Sequence, residues 1–207
     1  MTKKWLLSVL LLLLGALPLE AIPQEGGKRA PDGRTELTCD LPASQRRVNV
    51  GGRDGAGLCV FTSIEYAAKW QGERALYDFQ DKMRRELGGG WPEKVDQMIA
   101  KYAPGTQYLQ DTSGDPDILR AILASGRMAC VTYAGRDSHY GSNKTIAHMV
   151  CLVAFGDQWA CISDNNFIRD DQFMWMTPQE FISRWKANGG GWVVCLLAPP
   201  PPPPPHN

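Results

Sequence analysis

Histidine is scarce in this chain of 207 residues: there are three, at positions 139, 148 and 206. That scarcity argues against a histidine-rich metal centre. His139 and His148, even combined with Cys130 and Cys151, fall at spacings that match no compact ligand pair, so neither a metal nor a cofactor is expected. Net charge is also lacking, with 22 basic residues against 22 acidic ones. A nucleic-acid partner would call for a basic domain, and none is present. Beyond one apolar run near the N-terminus, no segment is long enough to span a bilayer. The six cysteines are sparse for a chain of this size, which is large enough to bury a core without a disulfide scaffold. Their pairing is open on sequence grounds, and an exported chain would permit bridges. There is no internal repeat.

The exception among the apolar runs is the start. Lys3 and Lys4 precede an apolar stretch from Trp5 to Leu19, and Ala21 is a candidate cleavage residue. The run is shorter than the roughly 20 residues a spanning helix needs, so residues 1–21 read as a secretory signal peptide. Its removal takes away Lys3, Lys4 and Glu20 and leaves a net charge of −1. The expected location is secreted or periplasmic, with no stable membrane span after processing. Residues 22–40 are polar, carry Gly26, Gly27, Pro23 and Pro31, and read as a linker. Residues 41–198 then form one domain. Residues 199–207 are a tail opening on seven consecutive prolines, Pro199 to Pro205, a polyproline II rod of about 20 Å. Such a rod can either meet an aromatic-lined groove of a partner or simply end the last strand.

Within the domain, helical spacing runs over 58–71 and 73–87, then from Trp91–Pro92 to just before Pro104, and from Asp115–Pro116 to Gly126. A short strand falls at 106–110. Strands follow at Met128–Tyr133, Ile146–Phe155, Trp159–Ser163, Phe173–Met176 and Trp192–Leu197, with a polar loop over 134–145. A helix at Pro178–Lys186, capped by Thr177, interrupts them. Ile146–Phe155 is too continuously apolar for a strand with one wet face and belongs in the middle of a sheet. Helices first and an antiparallel sheet second make an α+β domain.

The chemistry begins at Cys59. The glycine-rich run 51–57 gives way there to an amphipathic helix, with Val60, Phe61, Ile64, Ala67 and Ala68 on one side and Thr62, Ser63, Glu65 and Lys69 on the other. A sulfur at a helix N-terminus meets unpaired N–H groups and the positive end of the dipole, both of which favour thiolate. His148 opens a strand that turns near Gly156. A turn centred on residue 156 sets Asp164 opposite His148; a two-residue turn on Gly156–Asp157 sets Asn165 there instead. Either side chain can hold an imidazole in one tautomer. Cysteine, histidine and an orienting polar group point to covalent catalysis.

These segments resemble a small papain-like cysteine peptidase. GLCVFTSIE is similar to the G-S-C-W-A-F-S helix that bears the nucleophile of that family. AHMVCLVAFGDQWACISDN is similar to its histidine strand, turn and asparagine-bearing strand, and His148 and Asp164 keep the family's separation of sixteen. An aspartate in third place, and the ending TPQEFISRWKANGGGWVVCLL, resemble stand-alone relatives of the bacteriocin-processing double-glycine peptidases. The resemblance implies a papain-like fold, helices packed on an antiparallel sheet, a peptide or protein substrate, no cofactor, and a catalytic set of Cys59, His148 and Asp164 or Asn165. One departure stands out. The family places a glutamine six residues before the nucleophile as an oxyanion donor; Arg53 occupies that position, with Asn49 and Asp54 as neighbouring substitutes. The same set would serve acyl transfer or amide cleavage, and Arg53 also suits a non-catalytic binding module on the same scaffold.

Overall fold

A computed structural model describes residues 24–136, 140, 145–168 and 173–202. The leader, His139, His206 and the last prolines lie outside them. The order of elements is β1 (Gln24–Gly26), α1 (Cys59–Gln71), α2 (Phe79–Met83), α3 (Pro92–Tyr102), β2 (Tyr108–Asp111), α4 (Pro116–Ala124), β3 (Ala129–Arg136), β4 (Thr145–Phe155), β5 (Ala160–Ser163), β6 (Phe173–Met176), α5 (Pro178–Lys186) and β7 (Val193–Leu196). The strands form one antiparallel sheet in the order β1-β6-β5-β4-β3-β7-β2. The domain is α+β, as expected, and β4 is its central strand.

Local chemistry explains the helix ends. Asp115 caps α4 by accepting the Asp117 N–H at 3.0 Å, and Thr177 caps α5 by accepting the Glu180 N–H at 3.2 Å. In α3, α4 and α5 alike, proline fills the first turn, where its missing N–H costs nothing. The expected helix over 73–87 is instead a 3-10 turn at Arg74–Leu76 followed by the short α2. Leu76, Phe79, Gln80 and Met83 are buried along it. Both kinds of turn bring a side chain back to one face every three or four residues, so apolar spacing does not separate them.

α1 packs on β3, β4 and β7 and also against α2. It is therefore not the half-solvated helix its pattern suggests. Thr62, Ser63 and Glu65 are fully buried, and each is satisfied. The Thr62 hydroxyl donates to Gln80 Oε1 at 2.7 Å and the Ser63 hydroxyl to the Met149 carbonyl at 3.0 Å. Glu65 accepts from Lys69 Nζ at 2.7 Å and from the Gln80 N–H at 3.0 Å. Buried polar groups are tolerable only when paired in this way.

Residues 24–40 are not a free linker. β1 pairs with β6, and Ala30 and Cys39 are buried. Gly26 lies so close to Trp175 that an added Cβ would stand 3.0 Å from the indole. A bulge in β4 between Leu152 and Ala154 frees the Val153 carbonyl from the ladder. That carbonyl accepts the N–H groups of Thr38 and Cys39 at 2.8 and 3.2 Å. Backbone pairing leaves no apolar period, which is why composition alone read this stretch as a linker. All six cysteines are free thiols. Among the described residues no helix is long and apolar enough to cross a membrane.

Candidate active site

A tight turn delivers Cys59. Gly51 bridges Gly57, the Gly52 N–H donates to the Ala56 carbonyl at 2.8 Å, and Gly55 takes φ +80°, a left-handed conformation that favours glycine. The chain then enters α1 with buried Leu58 as its cap and Cys59 as its first residue. No side chain caps this helix, so the N–H groups of its first turn are not spent on a carboxylate or hydroxyl. The Val60 N–H instead helps to favour the thiolate.

His148 projects from β4 into the same cleft, and its Nε2 lies 2.9 Å from Asp164 Oδ1. Both side chains are almost wholly buried, at 4% and 3% exposure. Because Nε2 carries the proton shared with Asp164, Nδ1 is the nitrogen left to face the Cys59 sulfur, and each group shifts the protonation of the other. Asp164 is held from three sides. Its Oδ1 also accepts the Asn166 N–H at 2.8 Å, and its Oδ2 accepts the Tyr140 hydroxyl.

The electrostatics follow from these contacts. Burial pushes the Cys59 thiol up, but the hydrogen bond and positive charge of His148, with the N–H groups of Met149 and Val60, hold it below the usual thiol range. Burial pushes His148 down, yet the bonds to Asp164 and Cys59 and their charges raise it to about 10. Asp164 is also penalised by burial and is still held below the usual carboxylate range by His148, Tyr140 and Asn166. These contacts thus favour a thiolate–imidazolium pair backed by a carboxylate.

The route by which Asp164 reaches His148 differs from the strand arithmetic. Phe155 pairs with Ala160 across a four-residue turn, and the bulge then shifts the register so that Cys151 pairs with Ser163. β5 ends there, and neither Asp164 nor Asn165 has a ladder partner. Asp164 reaches the ring from beyond the strand end. Asn165 makes no hydrogen bond to the imidazole. Its Nδ2 faces the Cys59 carbonyl at 3.1 Å, the Ser63 hydroxyl at 2.9 Å and the Met149 carbonyl at 3.0 Å. Three acceptors fix which way the amide points, and it staples the first turn of α1 to β4.

Of the three oxyanion candidates, Arg53 and Asp54 are exposed and do not line the cavity that holds Cys59. The Arg53 N–H donates to the Glu86 carbonyl at 3.4 Å, and Asp54 Oδ2 accepts the Gly88 N–H at 2.6 Å. Asn49 lies closer, its Nδ2 donating to Asn166 Oδ1 at 3.1 Å. Tyr140 carries no signal in the sequence, and Asn166 is visible there only as the last member of the polar cluster 163–166. A polar residue in a loop carries no periodic signal of its own.

Cys59 and His148 line one cavity of about 300 Å³, shared with Gly57, Gly90, Trp91, Thr132 and Trp192. Apart from His148 no charged side chain lines it. Gly90 is required, because a Cβ there would sit 2.4 Å from Val60 Cβ. Trp192 is pinned by its indole N–H to Gln110 Oε1 at 2.9 Å, whereas Trp91 is 47% exposed at the rim. Among the described residues no group of three or more metal-binding side chains converges.

No family model matches this chain, and no curated protein does. A solved structure that it resembles is the digestive procathepsin L2 proteinase from the larval midgut of Tenebrio molitor, at 14% identity and a TM-score of 0.47, over 79% of this chain and 69% of that one. A likeness that distant carries no activity across; the chemistry is read from this chain's own side chains.

Proposed function

We propose that the chain is an exported cysteine peptidase that hydrolyses peptide bonds through Cys59, His148 and Asp164. The supporting observation is the meeting of a helix-terminal thiol and a buried imidazole in one cleft, with a buried carboxylate bound to the imidazole. The Cys59 thiolate attacks the substrate carbonyl carbon. The tetrahedral oxyanion takes the Cys59 backbone N–H, the first of α1; removal of one oxyanion donor typically costs about 10²–10³ in rate. His148 gives its proton to the departing amine, and a thioester remains on Cys59. Water, deprotonated by the now neutral His148, attacks the thioester, releases the acid and restores the pair. Asp164 keeps the ring in the tautomer that presents Nδ1 to the sulfur and stabilises the imidazolium.

Export follows from the N-terminal leader pattern, and the further kinship with double-glycine peptidases rests on the third-place aspartate and the terminal helix and strand. The tail prolines offer a rod to a partner with an aromatic groove. Arg53, exposed and outside the cleft, favours a second reading, a binding module without turnover. Turnover of a peptide library separates the two. Cys59→Ala and His148→Ala should each abolish it, and activity retained in either variant would end the peptidase assignment. Added amine in the same assay distinguishes hydrolysis from acyl transfer by its products.

A further inference from the structure

We infer that Tyr140 is a positioning residue for this reaction, acting through Asp164; the inference rests on the peptidase reading above. A carboxylate beside an imidazole can turn about its own axis and present either oxygen. In this site the two oxygens have separate partners. Oδ1 takes His148 Nε2 and the Asn166 N–H, while Oδ2 takes the Tyr140 hydroxyl. With Oδ2 so held, rotation that would withdraw Oδ1 from the ring breaks a charge-assisted hydrogen bond, which is stronger than a neutral one.

The Tyr140 ring has a second task. It stands edge-on to His148, with centroids 6.1 Å apart at 69°, and edge-on to Phe167 at 5.0 Å. The phenol therefore stands against the imidazole, and Phe167 packs against the phenol. Asn166 closes the circuit, its Nδ2 lying 3.3 Å from the Tyr140 oxygen and 3.3 Å from His148 Nε2, with its Oδ1 bound to Asn49. Tyr140 does not line the cavity that holds Cys59. It touches no reacting atom, and its effect must pass through the carboxylate and the ring.

That separation makes the role distinct from both substrate binding and general stability. Tyr140→Phe keeps the ring and its packing and removes only the hydroxyl. It should lower kcat on a peptide substrate about tenfold, the scale of one hydrogen bond to a charged group, with KM unchanged. In an Asp164→Ala background the same change should have no further effect, because the group it acts through is gone. A Tyr140→Phe enzyme with unchanged kcat, or a loss that persists undiminished in the Asp164→Ala background, would overturn the inference. Iodoacetamide alkylation of wild-type Cys59 near neutral pH is run alongside. If the wild type is unreactive and inert to peptide, the peptidase reading has failed; if it is reactive and active, only Tyr140 is on trial. Should Tyr140→Phe lower the thermal midpoint, Phe167→Leu at a matched midpoint serves as control, and an equal kcat loss there also overturns the inference.

Discussion

Five of the six cysteines are buried inside the sheet or beneath it, and the sixth stands at the start of a helix. The same thiol behaves in opposite ways in the two settings. Burial among apolar side chains pushes Cys39, Cys130 and Cys161 up, and Cys195 to about 11. Burial acts on Cys59 in the same direction, but the imidazolium and the helix N–H groups outweigh it. Cys59 is set apart by its charged neighbours as well as by its partial exposure. A buried thiol becomes a nucleophile only where a cation is buried beside it, and that cation persists only where a buried anion holds it in turn.

Removing the cation should collapse the contrast most. His148→Ala is expected to slow iodoacetamide labelling of Cys59 at pH 7 about 100-fold, towards the behaviour of an ordinary thiol; stopped-time labelling with peptide mapping reads it. Next comes the anion. Asp164→Asn should lower kcat about 100-fold. It should also move the alkaline limb of the rate profile. In the wild type activity should fall as pH rises through about 10, where His148 loses its proton. Without the carboxylate the imidazolium is less favoured, so that limb moves to lower pH. The sign for stability is the same. A raised histidine contributes fully below its unfolded value and the contribution fades as pH rises through about 10. Asp164, being depressed, contributes above the ordinary carboxylate value and loses that contribution as pH falls through its own.

A smaller effect is expected from the staple between the two sides. Asn165→Ala strips a donor from the Cys59 and Met149 carbonyls and from the Ser63 hydroxyl, and should cost about 1–3 kcal/mol by urea unfolding. The smallest effect on activity belongs to the sheet thiols. Cys161→Ala should leave peptide turnover within about twofold while lowering stability by about 1 kcal/mol.

Much of the site could be seen in the residues themselves. A glycine run breaking into helical spacing marks Cys59 because only a helix start places N–H groups at a side chain. The continuous apolar run around His148 marks a central strand, since alternation disappears when both faces are covered. What escaped were events that depend on a single residue of register. The bulge at Val153 and the four-residue turn moved every pairing by one to three positions, and Asp164 reaches His148 from outside the ladder. Asn165 looked equivalent to Asp164 because neighbouring residues differ only in which way they point. Thr62, Ser63 and Glu65 looked solvated because a polar side chain announces its polarity and not the partner that lets it be buried.

The most direct test is to alkylate the folded protein briefly at pH 6 and map the label. The thiolate–imidazolium pair predicts modification at Cys59, with Cys39, Cys130, Cys151, Cys161 and Cys195 untouched. A Cys59 that stays unlabelled until the pH passes the ordinary thiol range, or that is found in a disulfide, would contradict it.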